Sequence, residues 1–245
     1  MTAPEATAPA RSHVPIVTDA VRLARVLFSP GAVFEEQKDQ PTFWAPWLVM
    51  SVLWVVLQQL QKPFQARVRE IMFERLNRPA PPASAAGNII SMLGGPITVL
   101  LICVISAAVL YAITSLVGGE TTFKKLLCVS VFAMPVALII QAVTVVVLTT
   151  RGVNAIAGAE DMFVSLGLDL LLPSSAQPGY FVRFLLAGIG PLQIWSLAIT
   201  AIGLGVMAKL GKGAAWTAAT IYFVVVLLIV SGLGAFGMKM MGAAG

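Results

Sequence analysis

The sequence predicts an all-α integral membrane protein of five transmembrane helices with short interfacial amphipathic helices. Hydrophobic residues make up 58% of the chain and charged residues only 11%, with a mean hydropathy of +0.89. Soluble domains carry about 25% charged residues. The charges are also segregated: no Asp, Glu, Lys or Arg occurs in 41–61, 79–119, 126–150, 184–208 or 213–238. A bilayer core needs roughly 20 apolar residues per helix, and each of the five windows can supply them. Between the second and third windows lies a tight polar turn, Gly118 to Lys125, around which the two halves of the chain are arranged.

Residues 1–16, rich in Ala, Pro and Thr, read as a disordered tail and lack the basic-then-apolar layout of a signal peptide. His13, the only histidine, lies there as a solvated bystander. Residues 17–41 read as interfacial helices. Ala20, Leu23, Ala24 and Leu27 share one helical face, and Arg22 and Arg25 project from the other. Ser29 with Pro30 then restarts a helix that runs to about Asp39.

The transmembrane domain occupies 42–240. Its first span, from about Thr42 to Leu60, opens on an aromatic belt of Phe43, Trp44 and Trp47, and Gln58, Gln59 and Gln61 mark its exit. Residues 65–78 are expected as a second interfacial helix, with Val68, Ile71, Met72 and Leu76 on one face, ended by Pro79, Pro81 and Pro82. The second span, about Asn88 to Leu116, carries Gly94-Gly95-Pro96, a kink or an early break.

In the turn, Gly118 and Gly119 suit the left-handed backbone that ends a helix, and Thr121 or Thr122 can cap the next one. Lys124 and Lys125 can run their stems along lipid and reach the headgroups. The third span runs to about Thr149. Its Pro135 removes the hydrogen bond to the carbonyl of Val131, and it contains Gln141. Residues 150–180 form the longest loop, in which the apolar piece Met162 to Leu172, interrupted by Asp169, is placed at the membrane surface. The fourth span, about Ile189 to Ala208, opens with Gly190-Pro191 and holds Gln193 and Trp195 near its start. The fifth runs from about Ala214 to Gly237. Positive charge does not orient the bundle: of the 16 Lys and Arg, eight fall on each side of a five-span topology.

The chemistry that is missing narrows the function. No Asp, Glu, Lys, Arg or His lies within the five windows, which argues against a proton-coupled carrier, a pump or a voltage sensor. No phosphate-binding glycine loop and no H-E-x-x-H occurs, and one histidine in a tail cannot build a triad. Cys103 and Cys128 sit inside separate spans, with no metal-ligand spacing or disulfide framework. The scattered net charge of +5 suits headgroups rather than nucleic acid. No enzyme, cofactor or metal is expected.

Three stretches carry a family resemblance: L-F-S-P-G-A-V-F-E at 27–35, G-G-E-T-T-F-K-K at 118–125 with a proline ten residues later, and I-W-S-L-A-I-T-A-I-G-L at 194–204. Their order and spacing over roughly 18–240 resemble the Yip family, and the Ala- and Gly-rich composition looks like its bacterial branch. The resemblance implies a five-span membrane protein with a cytoplasmic N-terminus, in a bacterial inner membrane. Eukaryotic members are named for contact with Rab-type GTPases and act in vesicle traffic, whereas some bacterial relatives are associated with ABC-type efflux systems.

The leading expectation is therefore a non-enzymatic accessory or scaffold subunit that contacts membrane lipids and docks with another membrane protein, with an ABC-type exporter as the partner class. Arg22, Arg25, Lys124 and Lys125 are its candidate lipid or partner contacts. The alternative is a small carrier or lipid-handling protein with a polar groove near Gln141 and Gln193 and the proline sites Pro96, Pro135 and Pro191.

Overall fold

The computed structural model describes residues 15–81, 84–173 and 178–242. The first 14 residues of the expected tail, His13 among them, and Pro82 lie outside the described residues. All regular structure among the described residues is helical: α1 Pro15–Arg25, α2 Pro30–Gln37, α3 Trp44–Arg75, α4 Ala85–Leu116, α5 Phe123–Arg151, α6 Tyr180–Ala187, α7 Pro191–Met207 and α8 Lys212–Gly242. Three short 3-10 turns, Val153–Ala155, Ala159–Met162 and Leu168–Leu171, lie between α5 and α6.

Among the described residues three helices are long and apolar enough to cross a membrane: Gly87–Leu116, Phe123–Arg151 and Lys212–Met240. A fourth is reached if α6 and α7, which meet at 61°, count as one broken span. This falls short of the five expected spans. Within α3 the apolar run is diluted by Gln58, Gln59, Gln61 and Lys62. The separate interfacial helix expected at 65–78 is also absent, because α3 continues unbroken through Pro63 to Arg75. Its Phe64, Val68 and Ile71 are buried in a small cluster with Leu148 and Ile156.

The long helices alternate between two ends. At the turn end, the Glu120 amide donates to the Ala208 carbonyl (3.1 Å), joining the α4–α5 turn to the end of α7. At the opposite, loop end lie residues 152–190. α3 and α4 run antiparallel, since Lys62 Nζ donates to Asn88 Oδ1 (3.1 Å) while Val55, further back, faces Gly95.

α5 is the central rod. Every residue from Leu126 to Phe132 is buried, because α3, α4 and α7 all pack on this helix. That accounts for a helix apolar all round. Lipid tails are as apolar as the side chains, so close van der Waals fit is what holds such a core together.

The turn that organises the sequence forms as expected at Gly118, which holds φ +81°. The threonines act differently. Thr122 occupies the cap position with no side-chain cap bond, and Thr121 Oγ1 donates instead to the Met207 carbonyl (3.3 Å), fastening the turn to α7. α4 likewise passes through Gly94-Gly95-Pro96 without breaking. Pro191, in contrast, opens α7 immediately after the break.

Candidate functional site

Two polar constructions stand out against this apolar frame. The first is the hairpin of α1 and α2 at the turn end. Leu23, Val26, Val33 and Phe34 are all buried in the main core, with Leu27 packed against it, so the hairpin lies on the bundle rather than on a lipid surface; of the face predicted for α1, Ala24 is exposed. Phe34 meets Phe132 edge-on at 6.2 Å. A side chain at Gly203 would reach within 2.9 Å of the Phe34 ring and 3.0 Å of Val129, so that glycine is what lets α2 and α5 close on α7. At the hairpin's tip the Trp195 indole donates to the Leu27 carbonyl (3.1 Å), with Phe28 packed edge-on at 6.2 Å.

The two arginines are engaged within the chain. Arg22 pairs with Asp19 at 2.8 Å and Glu36 at 3.2 Å, and Arg25 with Glu36 at 3.0 Å. Burial pulls the Arg22 guanidinium down, but its hydrogen bonds to Asp19 and Glu36 outweigh that and hold it above its ordinary value. Asp19 is only 4% exposed. Lys124 is exposed, whereas Lys125 is half-buried and lines a cavity of about 340 Å³ with Glu35, Lys38, Asp39 and Lys209. Lys38 is already paired to Glu35 at 2.6 Å.

The second construction is a cleft of about 280 Å³ between α3 and α4, lined by Gln58, Gln59, Lys62, Ser91, Gly95 and Thr98 among others. It was missed by sequence reasoning, which took the glutamines as a span's exit. The available signal was spacing: Gln58, Gln59, Lys62 and Gln65 recur on one face of a single helix. Beside it the first half of α4 stands open, with Ile89, Ile90, Leu93 and Ile97 all more than half exposed.

Gln141 and Gln193, expected near a polar groove, are not bonded to each other. The α4–α5 contact of Cys103 with Met134 (3.2 Å) brings Pro96, seven residues before Cys103, level with Gln141, seven residues after Met134. The α5–α7 contacts of Thr121 with Met207 and of Val129 with Gly203 bring Gln141 level with the start of α7. Among the described residues no hydrogen bond joins Gln141 to Gln193. Gln193 Nε2 instead reaches the Ala187 carbonyl at 3.5 Å, and its Oε1 is buried without a partner. Pro135 is buried within an unbroken α5.

Neither construction brings together a nucleophile, a base and an orienting group. Among the described residues no three of His, Cys, Asp and Glu cluster as metal ligands.

The family model described as the Yip1 domain matches residues 24–234. Among curated proteins, the chain is 26% identical over 226 residues to the membrane protein YknW of Bacillus subtilis (strain 168), covering 88% of this chain and 92% of the relative. No solved structure matches.

Proposed function

The chain belongs to the Yip1 domain family, and from that premise we propose that it is a non-enzymatic accessory subunit of a bacterial inner membrane, docking onto another integral membrane protein through the α3–α4 cleft. The observation that carries this reading is the cleft itself. Gln58, Gln59, Ser91 and Thr98 line it beside the exposed apolar face of α4. Polar groups at membrane depth are costly facing hydrocarbon and favourable against a polar helix. α3 is the first of five spans in this proposal, and α6 with α7 the fourth. The N-terminus is cytoplasmic and an ABC-type exporter is the partner class, both from the family resemblance.

The test places a photo-crosslinking residue at Thr98, on the cleft, and at Leu233, an exposed position on α8. The proposal expects a protein adduct of discrete mass from Thr98 and lipid adducts from Leu233. Lipid adducts alone at both positions would reject it.

The cleft also supports a second reading, a lipid-handling protein. Lys62 already bonds Asn88 across it and could meet a phosphate there. Reconstituted vesicles should then exchange labelled lipid faster than empty ones, with Gln59→Leu reducing the rate and Gln141→Leu leaving it unchanged.

A further inference from the structure

At the loop end, away from the cleft and independent of the docking reading, a cavity of about 670 Å³ is bounded by Glu160, Ser165, Asp169, Leu172, Tyr180 and Arg183. Asp169 is 8% exposed. Its Oδ1 accepts from the Gly167 amide at 3.2 Å, but its buried Oδ2 has no hydrogen-bond partner among the described residues. A buried carboxylate oxygen left unmatched is expensive, and a charged N–H donor is the partner that best relieves it.

Arg183 lies across the cavity. Its guanidinium sits 5.1 Å from the centre of the Phe163 ring, and Phe163 is braced edge-on by Phe184 at 4.9 Å. No carboxylate lies within ion-pair distance of Arg183 among the described residues. Glu160 is held by the Tyr180 hydroxyl, which donates to it at 2.6 Å. The segment carrying Asp169 is fixed in place, since the Leu168 amide donates to the Ile189 carbonyl (2.9 Å) and a Cβ at Gly167 would come within 2.5 Å of the Ala187 carbonyl.

We propose that this cavity binds the headgroup of an aminophospholipid, with the primary ammonium donating to Asp169 Oδ2 and the phosphate accepting from Arg183. The charge pattern selects a zwitterion, because Asp169 and Glu160 repel a plain anion while Arg183 repels a plain cation. It selects a primary amine as well, since a quaternary ammonium has no N–H to give. The rim suits an acyl chain: Leu170 and Leu171 on the loop are 66% and 79% exposed, beside Phe181 and Val182 on α6.

The full chain is reconstituted into vesicles of equal phosphatidylethanolamine, phosphatidylcholine and phosphatidylglycerol, extracted in mild detergent, and its retained lipid measured by native mass spectrometry. Wild type should retain phosphatidylethanolamine over phosphatidylcholine by about tenfold, the factor that a single good charge-assisted hydrogen bond supports. Asp169→Asn should abolish that preference, and Arg183→Gln should lower retention of all three lipids while keeping their ratio. Equal retention of the two zwitterionic lipids by wild type, or an unchanged preference in Asp169→Asn, would overturn the proposal. Soluble glycerophosphoethanolamine binding as tightly as the lipid would overturn the membrane source. Should Asp169→Asn fail to fold, wild type carries the test alone: phosphatidylethanolamine must raise its melting temperature more than phosphatidylcholine does, and equal shifts refute the site.

Discussion

Replacing Gly203 with alanine tests whether the N-terminal hairpin is seated on the membrane bundle. The added methyl would lie 2.9 Å and 3.0 Å from two atoms of the Phe34 ring and 3.0 Å from Val129. Contacts this short force a shift in a core where both neighbours are fully buried, and overpacking of that kind costs about 1–3 kcal/mol. Phe34→Ala alone removes a fully buried aromatic and should cost about 3–5 kcal/mol. With the ring gone, only the Val129 contact still opposes the methyl, so Gly203→Ala should cost markedly less in the Phe34→Ala background. The coupling expected between touching residues is about 0.5–3 kcal/mol. Purified single and double variants unfolded by heat or by SDS titration in mild detergent, followed by circular dichroism, close the cycle. Costs that add to within about 0.5 kcal/mol would show that the two side chains do not meet. The hairpin would then have to sit elsewhere.

The two arginines separate in the same assay. Arg22→Gln leaves the buried Asp19 carboxylate without its cation and should cost about 1–3 kcal/mol. Arg25→Gln breaks an exposed pair, with side chains 46% and 37% exposed, and should cost no more than about 1 kcal/mol; equal losses would refute the distinction. Thiol labelling reports on burial and topology together. Cys103 and Cys128 are 1% and 0% exposed, so a maleimide should modify neither before unfolding. In a cysteine-free background, Asp39→Cys and Arg78→Cys should be modified from opposite faces of sealed vesicles if α3 crosses the bilayer. Modification from one face would remove α3 as a span.

How much of this was legible beforehand varied with the kind of signal. The apolar rods at α4, α5 and α8 could be read directly, because a run without charge leaves hydrocarbon as its natural solvent. The face of α1 was legible only in part: Leu23 is buried as helical spacing suggests, but Ala24 is exposed and the buried neighbour is Val26, which the predicted face left out. The destination of these side chains was not legible, because the socket exists only where Gly203, Val129 and Phe132 converge from two helices far along the chain. The glutamines looked like an ending, yet α3 runs on through Pro63 because Phe64, Val68 and Ile71 find Leu148 and Ile156 to pack against. The cleft escaped notice for the same reason. Gln58 and Gln59 acquire a role only when Ser91 and Thr98 are brought opposite them. Gln141 and Gln193 were matched in level but not in direction, since Gln193 turns back to the Ala187 carbonyl.

The bond from Trp195 to Leu27 spans 168 positions of sequence. The ribosome releases the α1–α2 hairpin first and α7 nearly last. Until α7 arrives, Phe34 has Phe132 of α5 on one side but not the Gly203 notch that completes its socket, and a nascent chain must carry that half-seated wedge for most of its synthesis. Assembly of the hairpin's socket therefore finishes late, and a chain cut short before α7 would display a half-seated α1–α2 hairpin to the cell's proteases.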